Sequence, residues 1–233
     1  FEFMNTFNPL RVRDKLRIAT AKSHVLDLHQ EALMAFDNYI GEENSTSQVL
    51  LNEQSEEFRL YNNEYINLLI HLGKFEKALK KAEKSAKLAA KVSSEFPDYY
   101  AYQQILLADV YLETGAYKKA SELLKKTESE ESIYKIVTSN SFENTETTDA
   151  YYRTSMKKNV IFGYLDEAEE DFENISYKTS KDRVFFAPIY VSTGKFETAK
   201  ELLSNVDRKY ADTYGDSSKY RIPVLNNLSN INA

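Results

Sequence analysis

The feature that most constrains the fold is a six-residue pattern, Gly-x-(large apolar)-x-x-Ala, that occurs four times. Its copies read Gly73-Lys-Phe-Glu-Lys-Ala78, Gly115-Ala-Tyr-Lys-Lys-Ala120, Gly163-Tyr-Leu-Asp-Glu-Ala168 and Gly194-Lys-Phe-Glu-Thr-Ala199. A glycine can adopt positive φ and end a helix, so that the chain reverses into a second one. We interpret the large residue as filling the gap between the two helices, and the alanine as letting their axes approach. The pattern therefore predicts four helical hairpins.

Apolar residues on both sides of each copy recur every three to four positions, which is typical of amphipathic helices. Ile105, Ala108 and Leu112 precede Gly115, for example, and Leu124 follows it. Six glycines and four prolines in 233 residues are too few for a turn-rich β-fold. The sequence therefore predicts an all-α fold.

Polar and proline residues mark three predicted helix starts. Pro97 is expected in the first turn of the helix that leads to Gly115. Thr147 or Thr148 is expected to cap the helix before Gly163, and Ser180 the helix before Gly194. Pro188 interrupts that last pattern, so the helix is predicted either to bend there or to begin late.

These residues resemble the tetratricopeptide repeat (TPR) family, whose helix–turn–helix unit of about 34 residues has a similar turn. The resemblance covers roughly residues 60–214. The first helices of the second and fourth repeats match the family's large-small-large triplet, with Leu107, Ala108, Tyr111 and with Phe186, Ala187, Tyr190. The first helix of the third repeat has Ser155, Met156 and Asn159 in those places. The resemblance implies a TPR-like superhelix, a solenoid of antiparallel helix pairs.

The repeats are unevenly spaced along the chain. Their glycines stand 42, 48 and 31 residues apart. We attribute the first excess to a long second helix, about Phe75 to Ser93, and the second to an insertion over about residues 128–146, rich in Ser, Thr, Asn and Glu. The array is predicted to occupy residues 47–214.

The segments outside the array are predicted to be helical or to cap it. Phe1-Glu2-Phe3 before Met4 looks like a cloning remnant. Residues 4–46 are predicted to form one or two helices, in which Ala32, Phe36 and Tyr39 resemble the second helix of a degenerate repeat, followed by a polar loop from Gly41 to Ser47. Residues 215–233 are predicted to be a tail that breaks helix periodicity and caps the last repeat through its apolar residues Ile222, Val224, Leu225 and Leu228.

Composition excludes several chemistries. With no cysteine, the chain has no disulfide, thiol nucleophile or Cys-ligated zinc, and it suits a reducing compartment such as the cytoplasm. A net charge of −6 argues against nucleic acid as the partner, and no apolar run reaches the roughly 18 residues of a membrane span.

Catalytic motifs are also missing from the sequence. His24, His29 and His71 lack the spacing of a helical metal site, and the sequence contains no phosphate-binding glycine loop or nucleophile elbow. We therefore expect a protein that is not an enzyme and needs no cofactor or metal.

The predicted binding surface comes from the resemblance. In TPR arrays, positions 5 and 9 of each first helix line a concave groove; here they are Asn63, Asn67, Ile105, Asp109, Arg153, Lys157, Val184 and Pro188. Asparagines there can hold the main chain of an extended peptide, and the two cations can take a carboxylate. The partner-binding prediction is Asn63, Asn67, Asp109, Arg153 and Lys157. Because position 5 of the first repeat is not lysine, the family's carboxylate clamp for chaperones is not implied.

Two charged surfaces leave alternatives open. The lysines of the Lys74–Lys91 segment are either a solvated helix face or a dock for an acidic partner, and the acidic stretch Asp166–Glu173 is either solvated or a dock for a basic one. The leading functional hypothesis is a protein- or peptide-binding scaffold or adaptor. The alternatives are the peptide-sensing domain of a bacterial regulator and an activating subunit of an enzyme complex.

Overall fold

The computed structural model describes residues 9–23, 28–40, 56–129 and 145–232. Within these ranges the chain contains no strand, and its α-helices are α1 (Pro9–Ser23), α2 (His29–Ile40), α3 (Glu56–His71), α4 (Phe75–Ala90), α5 (Pro97–Glu113), α6 (Tyr117–Ser129), α7 (Thr145–Phe162), α8 (Leu165–Asn174), α9 (Ser180–Ser192), α10 (Phe196–Tyr214) and α11 (Ile222–Asn232). A short 3₁₀ helix, Lys219–Arg221, precedes α11. The predicted all-α fold is confirmed.

The four predicted turns share one hydrogen-bonding pattern. Gly73 has a φ of 69°, and the φ values of the other three turn glycines are 77° or 78°. In the first turn the amide of Gly73 donates to the carbonyl of Ile70 at 2.9 Å, and that of Lys74 donates to Leu69 at 2.8 Å. This is the Schellman arrangement, which satisfies the last carbonyls of a helix. The alanines that follow, Ala78, Ala120, Ala168 and Ala199, are fully buried.

In three of the four turns the large residue is only partly buried, which does not fit the interpretation that it fills the gap between the helices. Phe75, Tyr117 and Phe196 are 38%, 42% and 51% exposed. Each is the first residue of the second helix in its pair, and side chains of a helix lean toward its N-terminus. Water therefore reaches these three rings, whereas the alanine three positions later in each copy is fully buried.

The predicted helix starts are partly correct. Pro97 is the first residue of α5, as expected. Thr147 and Thr148 are not caps, since α7 already begins at Thr145 and both side chains are buried. The cap of α9 is Thr179, not Ser180: the Thr179 hydroxyl accepts from the amide of Asp182, and the Asp182 carboxylate accepts from the amide of Thr179. This reciprocal pair is a capping box. Pro188 lies inside α9, so the helix does not begin late.

Several predictions fall wholly or largely outside the described residues. They are the cloning remnant, the loop from Gly41 to Ser47, and most of the insertion at about residues 128–146. The domain boundaries remain predictions. The N-terminal stretch contains two helices, α1 and α2. The second helix of the first repeat, α4, ends at Ala90 and is followed by turns over residues 91–95, so it is shorter than the predicted helix from Phe75 to Ser93.

The described residues divide into two compact units. Unit 1 contains those before residue 93 together with residues 109–116, and unit 2 contains the remainder. In unit 1, Phe36 stacks on Tyr65 with ring centroids 5.5 Å apart. Buried Lys81 donates to the carbonyl of Ile40, the last residue of α2, at 2.6 Å, and its ammonium lies 5.5 Å from the centre of the Tyr65 ring. A lysine can be buried because the carbonyl and the ring replace its hydration.

In unit 2, aromatic rings join α8 to α9. The rings of Phe172 and Phe186 stack with centroids 4.5 Å apart, and Tyr190 meets Phe186 edge-on at 5.0 Å. The Tyr190 hydroxyl donates to the Glu173 carboxylate at 3.1 Å. Burial, followed by the charge of Glu173, raises the pKa of Tyr190, so this phenol stays a donor. The large-small-large triplet of α9, which is Phe186, Ala187 and Tyr190, therefore belongs to the core of unit 2.

Residues after Gly215 continue into a helix rather than an irregular tail. On α11, Val224 is fully buried, and Leu228 and Ile231 pack beside it against a cluster that includes Ala187 and Leu203. These three α11 residues follow the i, i+4, i+7 spacing of one helix face. Ile222 and Leu225 point away and are 56% and 43% exposed, so only two of the four predicted capping residues, Val224 and Leu228, pack onto α9 and α10.

Candidate peptide-binding site

The five predicted partner-binding residues lie in different units. Asn63, Asn67 and Asp109 belong to unit 1, whereas Arg153 and Lys157 belong to unit 2. Asn67 is exposed on α3, and Asn63 is half-buried one turn earlier. Whether they contact a partner remains a prediction.

The neighbour of Asn63 has a structural role. Asn62 is buried and donates from Nδ2 to the hydroxyl of Ser85 at 2.6 Å, which joins α3 to α4. A buried amide needs such a partner to offset the loss of water.

Arg153 is the centre of a hydrogen-bonded network within unit 2. Its Nε lies 3.0 Å from both carboxylate oxygens of Asp182 at the start of α9, and its Nη2 donates to the carbonyl of Tyr177 at 2.6 Å. Nη2 also lies 3.7 Å from the carboxylate of Asp149, one helical turn earlier. Asp149 in turn accepts from the amides of Ser176 and Tyr177 at 2.7 and 2.9 Å.

This network positions the connection between α8 and α9. Asp149 is 2% exposed and Asp182 is 8% exposed, so both carboxylates need the donors that surround them. The Arg153 side chain keeps 28% of its surface accessible, but its guanidinium already serves three groups of the same chain. Lys157, one turn later on α7, is half-buried. In the sequence, this network is indicated only by an acidic and a basic residue four positions apart on one helix, Asp149 and Arg153.

A second polar contact occupies the place where the third repeat departs from the TPR triplet. Asn159 donates to the Asp171 carboxylate at 2.8 Å, joining α7 to α8. Burial raises the pKa of Asp171 to about 6, against the lowering effects of the Ser155 hydroxyl, Lys158 and Asn159. Ser155 and Asn159 are buried, at 4% and 7% exposure. The unusual residues of the third repeat therefore surround a carboxyl group.

A cavity lies where α9, α10 and α11 meet. It has a volume of about 150 Å³ and is lined by Ala187, Pro188, Val191, Leu203, Asn227, Asn230 and Ile231. We call it the Pro188 pocket. The resemblance places Pro188 on a groove position, and that placement stays a prediction.

Helix α11 completes the Pro188 pocket. Because Val224, Leu228 and Ile231 face α9 and α10, Asn227 and Asn230 fall at the edge of that face, three residues apart. Asn227 is half-buried and Asn230 is exposed. Sequence reasoning missed both asparagines, since the tail was not expected to continue as a helix; the i, i+4, i+7 spacing of the three apolar residues was the available signal.

Pro188 changes the backbone beside the pocket as well as its wall. Proline has no N–H, so it cannot donate to the carbonyl of Val184 one turn earlier. The proline ring also occupies the space beside that carbonyl.

The two charged surfaces are partly engaged within their own units. Lys81 is buried rather than solvated, and Lys77 pairs with Asp37 at 2.7 Å. In the acidic stretch, Glu169 pairs with Lys195 and Asp171 with Asn159. Both surfaces therefore contribute to packing, and their partner-binding roles remain predictions.

Metal-binding clusters and membrane-spanning helices are both absent from the described part of the chain. Residues 9–23, 28–40, 56–129 and 145–232 contain no cluster of three or more His, Cys, Asp or Glu able to hold a metal ion. Among the helices in the same ranges, none is long and apolar enough to cross a membrane.

The helix pairs and their four Schellman turns define the class: the chain has an all-α, TPR-like repeat fold. Comparison with solved structures supports this. Two crystal structures of a putative kinesin light chain from Podosopora anserina, with nearly identical TPR-like repeats, are similar. One of them, a form with a single substitution, is 20% identical, with a TM-score of 0.52 over 90% of this chain and 99% of that one. The other is 20% identical, with a TM-score of 0.51 over 89% and 98%.

The remaining comparisons found no relative. No known family profile matches the sequence, and no curated protein matches it. At 20% identity the structural likeness establishes the fold alone.

Proposed function

We propose that this protein is a non-catalytic scaffold that binds a protein partner or an extended peptide. The observation that carries the proposal is the Pro188 pocket, a concave site at a predicted groove position of a TPR-like fold. Repeat folds of this kind present extended surfaces on which partners bind.

The chemistry of the pocket favours binding over catalysis. Its lining side chains are alanine, proline, valine, leucine, isoleucine and two asparagines. None of these gains or loses a proton near neutral pH, and none is a usual nucleophile. Apolar walls with a few amide groups are typical of sites that recognise a chain segment.

Two alternative roles share this binding mode. A peptide-sensing domain of a bacterial regulator would use the pocket for a signal peptide, and an activating subunit would use it for a segment of a catalytic partner. Both predict peptide binding by the isolated chain. They differ in what the partner does next, which identification of the partner would reveal.

The test is selection of peptides against the whole chain. A displayed library of random peptides, each about 12 residues long to match an extended groove segment, is panned on the folded protein, and recovered sequences are measured by calorimetry. We expect one-to-one binding with micromolar dissociation constants, and unchanged peptide by mass spectrometry. A library that returns no binder, or a peptide that is cleaved or modified, contradicts the proposal.

A further inference from the structure

We propose that the Pro188 pocket accepts one aliphatic side chain of leucine or isoleucine size from an extended segment, whose main chain is bound by Asn227 and Asn230. This inference rests on the proposed function and adds the chemical class of the ligand. Three properties carry it: the volume of the pocket, the chemistry of its walls and the two amides that line it.

The volume selects the size of the side chain. A cavity of about 150 Å³ equals the engineered apolar cavities that hold a molecule of benzene. A four-carbon aliphatic side chain fits such a space, whereas an indole ring does not. The methyl of alanine would leave most of it unfilled and lose the packing contacts that a leucine gains.

The walls select against charge. Ala187, Val191, Leu203 and Ile231 form the interior, and Leu203 is fully buried. No lining residue carries a charge, so an ammonium or carboxylate entering the pocket would lose its hydration without a partner. The ligand side chain is therefore apolar.

The amides can bind the main chain that carries this side chain. Asn227 and Asn230 both line the pocket and lie about 4.5 Å apart along the axis of α11, at the usual helical rise. Each asparagine offers a donor and an acceptor.

Small peptide mimics test this inference without knowledge of the natural partner. The probes are N-acetyl-leucine-N-methylamide and its alanine, phenylalanine and lysine analogues, each titrated into the whole protein. Methyl and amide shifts in NMR spectra report the site. We expect saturable shifts at Val191, Leu203 and Ile231 with the leucine probe, affinity at least tenfold weaker with alanine, and no shifts at these methyls with lysine.

A matched pair of variants locates the binding. Asn227→Leu fills the pocket from its rim and removes one amide, whereas Asn226→Leu makes the same change on an exposed neighbour. We expect Asn227→Leu to weaken the leucine probe at least tenfold and Asn226→Leu to leave it unchanged. Spectral dispersion and melting temperature confirm that both variants are folded.

A variant with a larger pocket is expected to bind a larger probe better, which a misfolded protein would not do. Val191→Ala removes two methyl groups from the wall, so the phenylalanine probe should improve relative to the leucine probe. An unchanged preference contradicts the inference.

The remaining outcomes separate this inference from the proposed function. If the alanine and leucine probes bind equally, or if Asn227→Leu binds leucine as well as the wild type, the pocket assignment is overturned. Library peptides that bind while unaffected by Asn227→Leu would overturn it too, and the scaffold proposal would stand. A leucine probe that binds as expected in a protein from which no library peptide is recovered supports the pocket and contradicts the scaffold.

Discussion

Asn159 on α7 donates a hydrogen bond of 2.8 Å to the carboxylate of Asp171 on α8. Asn159 stands where the second and fourth repeats have Tyr111 and Tyr190, so a small amide replaces an aromatic ring, and the pair places an ionisable group between two helices. The irregularity of the third repeat, visible in the sequence, thus has a physical consequence that depends on pH.

Asp171 makes stability depend on pH between about 4 and 6. Its pKa is about 6 in the fold, against an ordinary value of 3.8, so in this window the folded chain binds more protons than the unfolded chain. Stability from this group therefore falls as pH rises. We expect Asp171→Asn to flatten the fall and to raise the melting temperature near neutral pH.

Thermal unfolding at several pH values, from below the ordinary pKa of aspartate to neutrality, measures this effect. Asp166→Asn, on an exposed residue of the same helix, is the control and should retain the wild-type profile. If Asp171→Asn follows the wild-type slope, the buried carboxyl is not the source.

Arg153 is expected to stabilise the fold through Asp149 and Asp182. Arg153→Ala leaves two buried carboxylates without their cation, which should cost about 2–4 kcal/mol of unfolding free energy. Arg153→Lys should recover only part of this, because an ammonium cannot contact both oxygens of Asp182 and the Tyr177 carbonyl in the same geometry.

Urea unfolding measures the loss. Lys181→Ala, on an exposed residue of α9, is the control, with an expected change of about 0.5 kcal/mol. Equal effects of the two alanine variants would show that the network contributes little.

Gly163 is required for its backbone conformation and not for space. Its φ is 78°, and a Cβ placed there would meet no atom within 4 Å. Gly163→Ala should therefore cost only the left-handed penalty, about 1–2 kcal/mol, and Gly163→Asn less. Chemical denaturation tests this, and a loss well above that penalty would reveal a steric contact that the structure lacks.

Replacing the turn aromatic Phe196 should lower the free energy of unfolding less than replacing the core aromatic Phe186. Phe196 is 51% exposed, whereas Phe186 is fully buried and stacked on Phe172. We expect Phe186→Ala to cost about 3–5 kcal/mol and Phe196→Ala less than about 1.5 kcal/mol. Equal losses in urea unfolding would restore the idea that the turn aromatic fills the space between helices.

The parts of the fold that were predictable from the sequence are those set by local chemistry. Gly163 and its counterparts need positive φ, and Ala168 and its counterparts must be small; both requirements are visible in the six-residue pattern itself. The exposure of Phe196 was not predictable, because the pattern gives the spacing of the ring but not the direction in which the first residue of a helix points.

The site was less predictable because it depends on which helices meet. Pro188 was placed on the groove by the resemblance, but the pocket beside it requires α11, and Asn227 and Asn230 are informative only once that helix is known. For Arg153, position alone suggested a ligand contact. Its buried partner Asp182 comes from a different helix, 29 residues away, which no local pattern indicates.

The most direct test of the account is calorimetric titration of one library-selected peptide into the wild-type protein and into Asn227→Leu, alongside the same peptide with its leucine replaced by lysine. We predict micromolar, one-to-one binding to the wild type that falls at least tenfold with either change. Binding that is indifferent to both changes would contradict the assignment of the Pro188 pocket as the peptide-binding site.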